Sequence, residues 1–69
     1  MVKIPRLKEL RQRRVISQDE LSRLAGVSPT TVNKVEGGAE ARYVTVRKLA
    51  EALGVTLEEI TKPEEATSS

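Results

Sequence analysis

Apolar residues recur along this chain at three- and four-residue spacing, interrupted by polar caps and glycines, and no segment alternates in strand fashion. Ile4, Leu7 and Leu10 mark one face of a first helix over roughly Pro5 to Arg14, with Pro5 suited to its first turn. Ser17 followed three residues later by Glu20 is a capping box, and Ile16 before it can staple onto Leu21. The second helix then runs with Leu21, Leu24 and Ala25 inward until Gly26, which takes a left-handed conformation at no steric cost. Ser28 caps a third helix with Pro29 at its first position, Val27 and Val32 as staple, Val32 and Val35 inward, and Gly37-Gly38 as stop. Glu40 to Tyr43 reads as a connector. A fourth helix, whose start no strong cap marks, carries Val46, Leu49, Ala50 and Leu53 inward and stops at Gly54. A short fifth helix has Thr56 as cap, Glu59 completing a second capping box, and Val55 paired with Ile60. Pro63 ends regular structure, and the polar tail 63–69 is expected to be disordered.

The pattern predicts an all-α domain over residues 1–62 with five helices around one aliphatic core. With 69 residues there is room for one small domain and little for a catalytic cleft. Cysteine and histidine are both absent, which removes disulfides, thiolate metal sites and the commonest catalytic base. No convergent carboxylate pair and no phosphate-cradling glycine loop appears, since Gly37-Gly38 follows a helix rather than opening one. The expectation is therefore no enzyme, no metal and no cofactor. No apolar run long enough for a membrane span or a signal peptide is present, so the cytoplasm is the expected location.

Net charge is only +2, but its distribution is uneven. Met1 to Arg14 holds six cations and one anion, a local charge of +5, whereas Glu58 to Ser69 sums to −3. A basic end of this kind suits a polyanion, although solvated helix surface explains it as well.

The outer face of the third helix is more informative. At about 100° per residue, Thr30, Asn33, Lys34 and Gly37 fall opposite Val32 and Val35. These groups donate and accept hydrogen bonds, with one cation and no anion among them. Thr offers a hydroxyl and a methyl, Asn a paired contact with adenine, and Lys a donor for guanine. Gln18 and the free N–H groups at the start of the second helix could hold a phosphate. With Tyr43 as the only aromatic residue, stacking on unpaired bases is an unlikely binding mode.

The run from Gln18 to Gly38, with Gln18, Leu21-Ser22, Ala25-Gly26-Val27-Ser28, Val32, Val35 and Glu36, resembles the helix-turn-helix of phage repressors and Cro proteins, the Cro or XRE type. The downstream VRKLAEALGVTLEEI is similar to that family's fourth and fifth helices, so the likeness covers roughly Leu7 to Ile60. It implies a compact five-helix fold of the lambda-repressor type with the third helix in the major groove of double-stranded DNA. By that resemblance Gln18 contacts the backbone and can reach a base, Pro29, Thr30 and Lys34 stand at base-reading positions, and Thr31 and Asn33 lie near the phosphates, with Ser28 at the helix start a further DNA-binding candidate. Arg11 and Glu36 match an ion pair that ties the first helix to the third, with Arg11 also in reach of a phosphate. From its place just past the glycine stop, Arg42 could reach the sugar-phosphate edge or be solvated surface. Three residues depart from the family pattern. Val15 stands where many relatives have glycine, Pro29 removes a long polar side chain from a reading position, and no proline precedes the fourth helix.

The expected function is a sequence-specific transcriptional regulator, a repressor acting as a homodimer on a two-fold operator. Leu53, Val55, Leu57 and Ile60 are candidates for the dimer surface, and the domain leaves no room for a small-molecule effector. The alternative is an antitoxin-like or adaptor protein that uses the same fold mainly to bind another protein, motivated by the acidic end and the apolar fifth helix.

Overall fold

The computed structural model describes residues 1–62. Five helices follow in order: α1 (Leu7–Arg13), α2 (Gln18–Ala25), α3 (Pro29–Glu36), α4 (Tyr43–Leu53) and α5 (Leu57–Thr61). Their buried faces meet in one core whose fully enclosed members include Ile4, Leu7, Leu21, Val32, Val46, Leu49, Leu53 and Ile60. The stop assigned to Pro63 and the tail 63–69 lie outside the described residues.

Local capping chemistry sets most boundaries. Both halves of the Ser17–Glu20 box are present, at 3.0 and 3.1 Å. Ser28 Oγ accepts from the Thr31 N–H at 3.1 Å, which fixes the start of α3. The second box forms only in half. Thr56 Oγ1 accepts from the Glu59 N–H, but the Glu59 carboxylate turns to Arg6 on the other side of the core, at 3.2 Å.

Two strands appear that the polarity pattern does not predict. β1 (Val2–Lys3) pairs antiparallel with β2 (Glu40–Ala41), placing Val2 opposite Ala41. The connector after α3 is thus partly a strand. Two residues are too few to leave a period-2 signature.

Leu24 also departs from expectation, being 62% exposed where an inward position was predicted. Ser22 takes the buried place instead, at 3% exposure, with its hydroxyl donating to the Asp19 carbonyl at 2.7 Å. Leu21, Ser22 and Ala25 share one arc of about 100° on α2, and Leu24 falls about 60° outside it.

The stops of α1, α2 and α4 share one geometry. Gly26 and Gly54 adopt φ of 74° and 71°, with the following N–H reaching back to Ser22 and Ala50. Val15 does the same after α1, at φ 56°, with its N–H on Gln12 and the Ile16 N–H on Arg11. The turn that lacks glycine therefore keeps the glycine conformation, using a β-branched residue for which it is strained. Val15 is 86% exposed, so its side chain gains little in return. Val15→Gly should stabilise the domain by about 1 kcal/mol, the relieved left-handed strain less the added backbone entropy of glycine. Urea denaturation measures this, and a variant no more stable than the parent would show that the valine is not strained.

Candidate nucleic-acid interface

α3 packs against α2 through Val32 and Val35, which leaves the opposite side to solvent. Pro29, Thr30, Asn33 and Lys34 are all exposed there. Thr30 and Lys34 make no side-chain hydrogen bond to any described residue, so their polar groups are available to a ligand. Thr31 is half-buried, and its hydroxyl shares a 2.9 Å hydrogen bond with Ser28. Ser28 and Thr31 are thus mainly engaged in building the start of α3.

Beneath this face runs a connected polar network. Arg11 grips Glu36 with two parallel hydrogen bonds, Nε to Oε2 at 2.6 Å and Nη2 to Oε1 at 3.2 Å. A third guanidinium nitrogen, Nη1, donates to the Ile16 carbonyl at 2.9 Å. The two side chains are only 12% and 5% exposed. Arg11 is therefore spent inside the protein, and the phosphate contact expected of it has no free, outward guanidinium edge to use. Gln18 joins the network by donating Nε2 to Glu36 Oε1 at 2.9 Å, and Asn33 Nδ2 donates to Gln18 Oε1 at 3.4 Å. The start of α2 is thereby locked to α3 through side chains as well as through the core.

The basic N-terminal segment is mostly consumed in the same way. Arg6 pairs with Glu9 and Glu59, Arg13 with Glu9, and Arg14 Nη1 donates to the Leu53 carbonyl at 2.6 Å. The hydrogen bond to Glu9 is the largest influence on Arg6 and raises its pKa, opposed by burial and assisted by Glu59. Arg14 satisfies the C-terminal end of α4, a helix with no basic residue in its own last turn. Arg6 and Arg14 thus tie distant elements together, Arg13 pairs on the surface, and Lys3 and Lys8 stay exposed, so the outward charge of this segment is less than the local +5 suggests.

The cations beside α3 come from elsewhere. A cleft of roughly 330 Å³ between α3 and the start of α4 is lined by Thr31, Lys34, Arg42 and Thr45, with Glu40 on its rim. Arg42 stands at the N-cap of α4 and supplies no side-chain cap, so both its guanidinium and the first N–H groups of that helix are open. On the other side of α3, Arg23 and Pro29 line a second cleft of roughly 380 Å³ with Asp19, Ser22 and Val27. Arg23 and Thr45 escape the sequence pattern. Arg23 sits among α2 residues that look like ordinary helix surface, and Thr45 becomes adjacent only when α4 turns back towards α3.

The four residues assigned to a dimer surface divide. Leu53 and Ile60 are buried in the core, at 2% and 0% exposure, and present nothing to a second copy. Val55 is half-buried and Leu57 exposed. Leu57 shares an apolar groove with Val2, Tyr43 and Val46, and Tyr43 is itself largely exposed. Among the described residues no helix is long and apolar enough to cross a membrane, and no cluster of acidic side chains is arranged to hold a metal ion.

A family model described as helix-turn-helix matches residues 7–60. No curated protein matches the chain.

Proposed function

We propose, from the premise that this chain belongs to the helix-turn-helix family of Cro and phage-repressor type, that it is a repressor acting as a homodimer on a two-fold operator. Membership makes it a DNA-binding transcriptional regulator. The observation that carries the finer reading is the outward edge of α3, where Thr30 and Lys34 stand exposed and unengaged between two clefts bearing Arg23 and Arg42. In this reading α3 lies in the major groove, Thr30 and Lys34 touch base edges, and Arg23 and Arg42 hold phosphates on either side. Gln18, Ser28 and Thr31 set the helix start at the correct height rather than reading sequence themselves. Pro29, with no long polar side chain, offers only an apolar contact such as a thymine methyl.

One such helix touches few base pairs. Two copies on half-sites about one helical turn apart supply the missing affinity and specificity. The exposed Leu57 and Tyr43 supply apolar area for that pairing, in place of the buried Leu53 and Ile60. With the clefts open and shallow and no second domain in residues 7–60, control by a small-molecule effector is not part of the proposal. Cytoplasmic location follows from the DNA target.

Lys34→Ala should cost about tenfold in affinity for the preferred duplex and relax preference at one base pair per half-site. Binding titrations against single-substituted duplexes read this, and unchanged affinity together with unchanged preference would remove Lys34 from the reading face. Sedimentation of the free protein and of its DNA complex tests the dimer. One copy per operator at saturation would discard it.

A further inference from the structure

The resemblance places Asn33 near the phosphates, but the hydrogen bonds of the free protein give it a different role. We infer that Asn33 reads an adenine in the major groove, with its amide pre-oriented by a relay running Arg11–Glu36–Gln18–Asn33. The inference rests on the DNA-binding reading above and specifies one contact within it.

The direction of the relay follows from chemistry. A carboxylate gripped by an arginine is ionised and can only accept hydrogen bonds. Glu36 Oε1 lies 2.9 Å from the Gln18 amide, so Gln18 must turn its Nε2 towards Glu36. Its Oε1 then faces Asn33 and can only accept, so Asn33 must offer Nδ2, at 3.4 Å. At each step the neighbour disfavours the flipped amide. A side-chain amide on an open helix surface would sample both orientations equally, and the Gln18 carbonyl biases this one towards offering Nδ2.

What remains free on Asn33 is its carbonyl oxygen and the second N–H of the same amide. That adjacent acceptor and donor match the adenine edge, where N6–H donates and N7 accepts. Cytosine and thymine each lack half of the pattern, and guanine presents two acceptors. Asn33 is exposed and lies on the same side of α3 as Thr30 and Lys34, within about 100° of arc. Gln18 and Glu36 are then positioning residues: neither touches the base, and both determine which way the base-reading amide points.

The test uses duplexes selected by the wild-type chain from randomised DNA, re-measured with every base pair substituted in turn. Wild type should show an adenine position in each half-site preferred by about tenfold. Asn33→Ala should reduce that preference to within about twofold, and Gln18→Ala should weaken it at the same position, while the positions read by Thr30 and Lys34 keep theirs. Gln18 is half-buried at the start of α2, so circular dichroism is used to verify that its variant folds. In the free protein, Gln18→Ala should also shift the Asn33 side-chain amide resonances, as a relay requires. A uniform loss of affinity in Asn33→Ala with every base preference intact would mean a phosphate contact and would overturn the proposal while leaving DNA binding in place. A lost preference for any base other than adenine overturns it equally. Absence of any base preference in the wild type would overturn this inference and the operator reading together.

Discussion

Replacing Glu36 with alanine is expected to remove about 3 kcal/mol of unfolding free energy. The cost comes from what is left behind. Arg11 is 12% exposed and would keep only the Ile16 carbonyl as partner, a buried cation with most of its donors unmatched. A domain of this length has a total stability of about 3–10 kcal/mol, so the variant should be partly unfolded at physiological temperature. Urea denaturation followed by circular dichroism measures the loss, and a variant within about 1 kcal/mol of wild type would mean that water already reaches the pair. The double change Arg11→Met, Glu36→Leu should recover most of the loss, because two apolar side chains of similar size leave no stranded charge. It should not recover adenine preference, since Gln18 would have nothing to orient it. Stability and reading would thereby be separated in one molecule.

Raising the salt concentration from about 50 to about 200 mM should weaken operator binding by about a hundredfold. The size of the effect depends on how many cations reach phosphates, and the structure narrows that number. Arg6, Arg11 and Arg14 are committed to partners within the fold, and Arg13 to a surface pair with Glu9. Arg23 and Arg42 flank α3 and remain outward. Two copies then neutralise about four phosphates, for a slope of about −4 in log affinity against log salt. Titrations by fluorescence anisotropy at several salt concentrations give the slope directly. A value near −10 would mean that the N-terminal arginines leave their carboxylates on binding, and the assignment of phosphate contacts would have to be redrawn.

Much of this architecture is legible in the sequence because helix capping is local chemistry. Ser17, Ser28 and Thr56 each cap the helix they were expected to cap, and Gly26 and Gly54 end theirs. What escapes is whatever depends on elements distant in the chain. The missing half of the second box follows from Arg6 reaching Glu59 across 53 positions. Arg14 reads as a solvated charge until α4 ends beside it, 39 positions later. The exposure of Leu24 follows from which arc of α2 is buried, and packing against both α3 and α4 selects that arc. The outward edge of α3 was readable from its own periodicity, whereas the Arg11–Glu36 pair was visible only through family resemblance. The link from Gln18 to Asn33 was visible in neither, because it joins one helix start to the middle of another.

The small pairing of Val2 with Ala41 has a kinetic consequence. The helices can form and dock in near-neighbour order, α2 on α3 first, at low entropic cost. The two-residue sheet must instead close a long loop for very few bonds, so it gains nothing until that scaffold exists. It should be the last element to form and the first to open. Val2→Gly should therefore speed unfolding while leaving the folding rate almost unchanged, which stopped-flow chevrons would read, and slowed folding would place the sheet in the nucleus instead. The connector after α3, which carries Ala41 and leads into Arg42, is thus tied down by the segment that lets go most easily. The rate at which one flank of the interface loosens is set by an N-terminal strand rather than by the helices that form it.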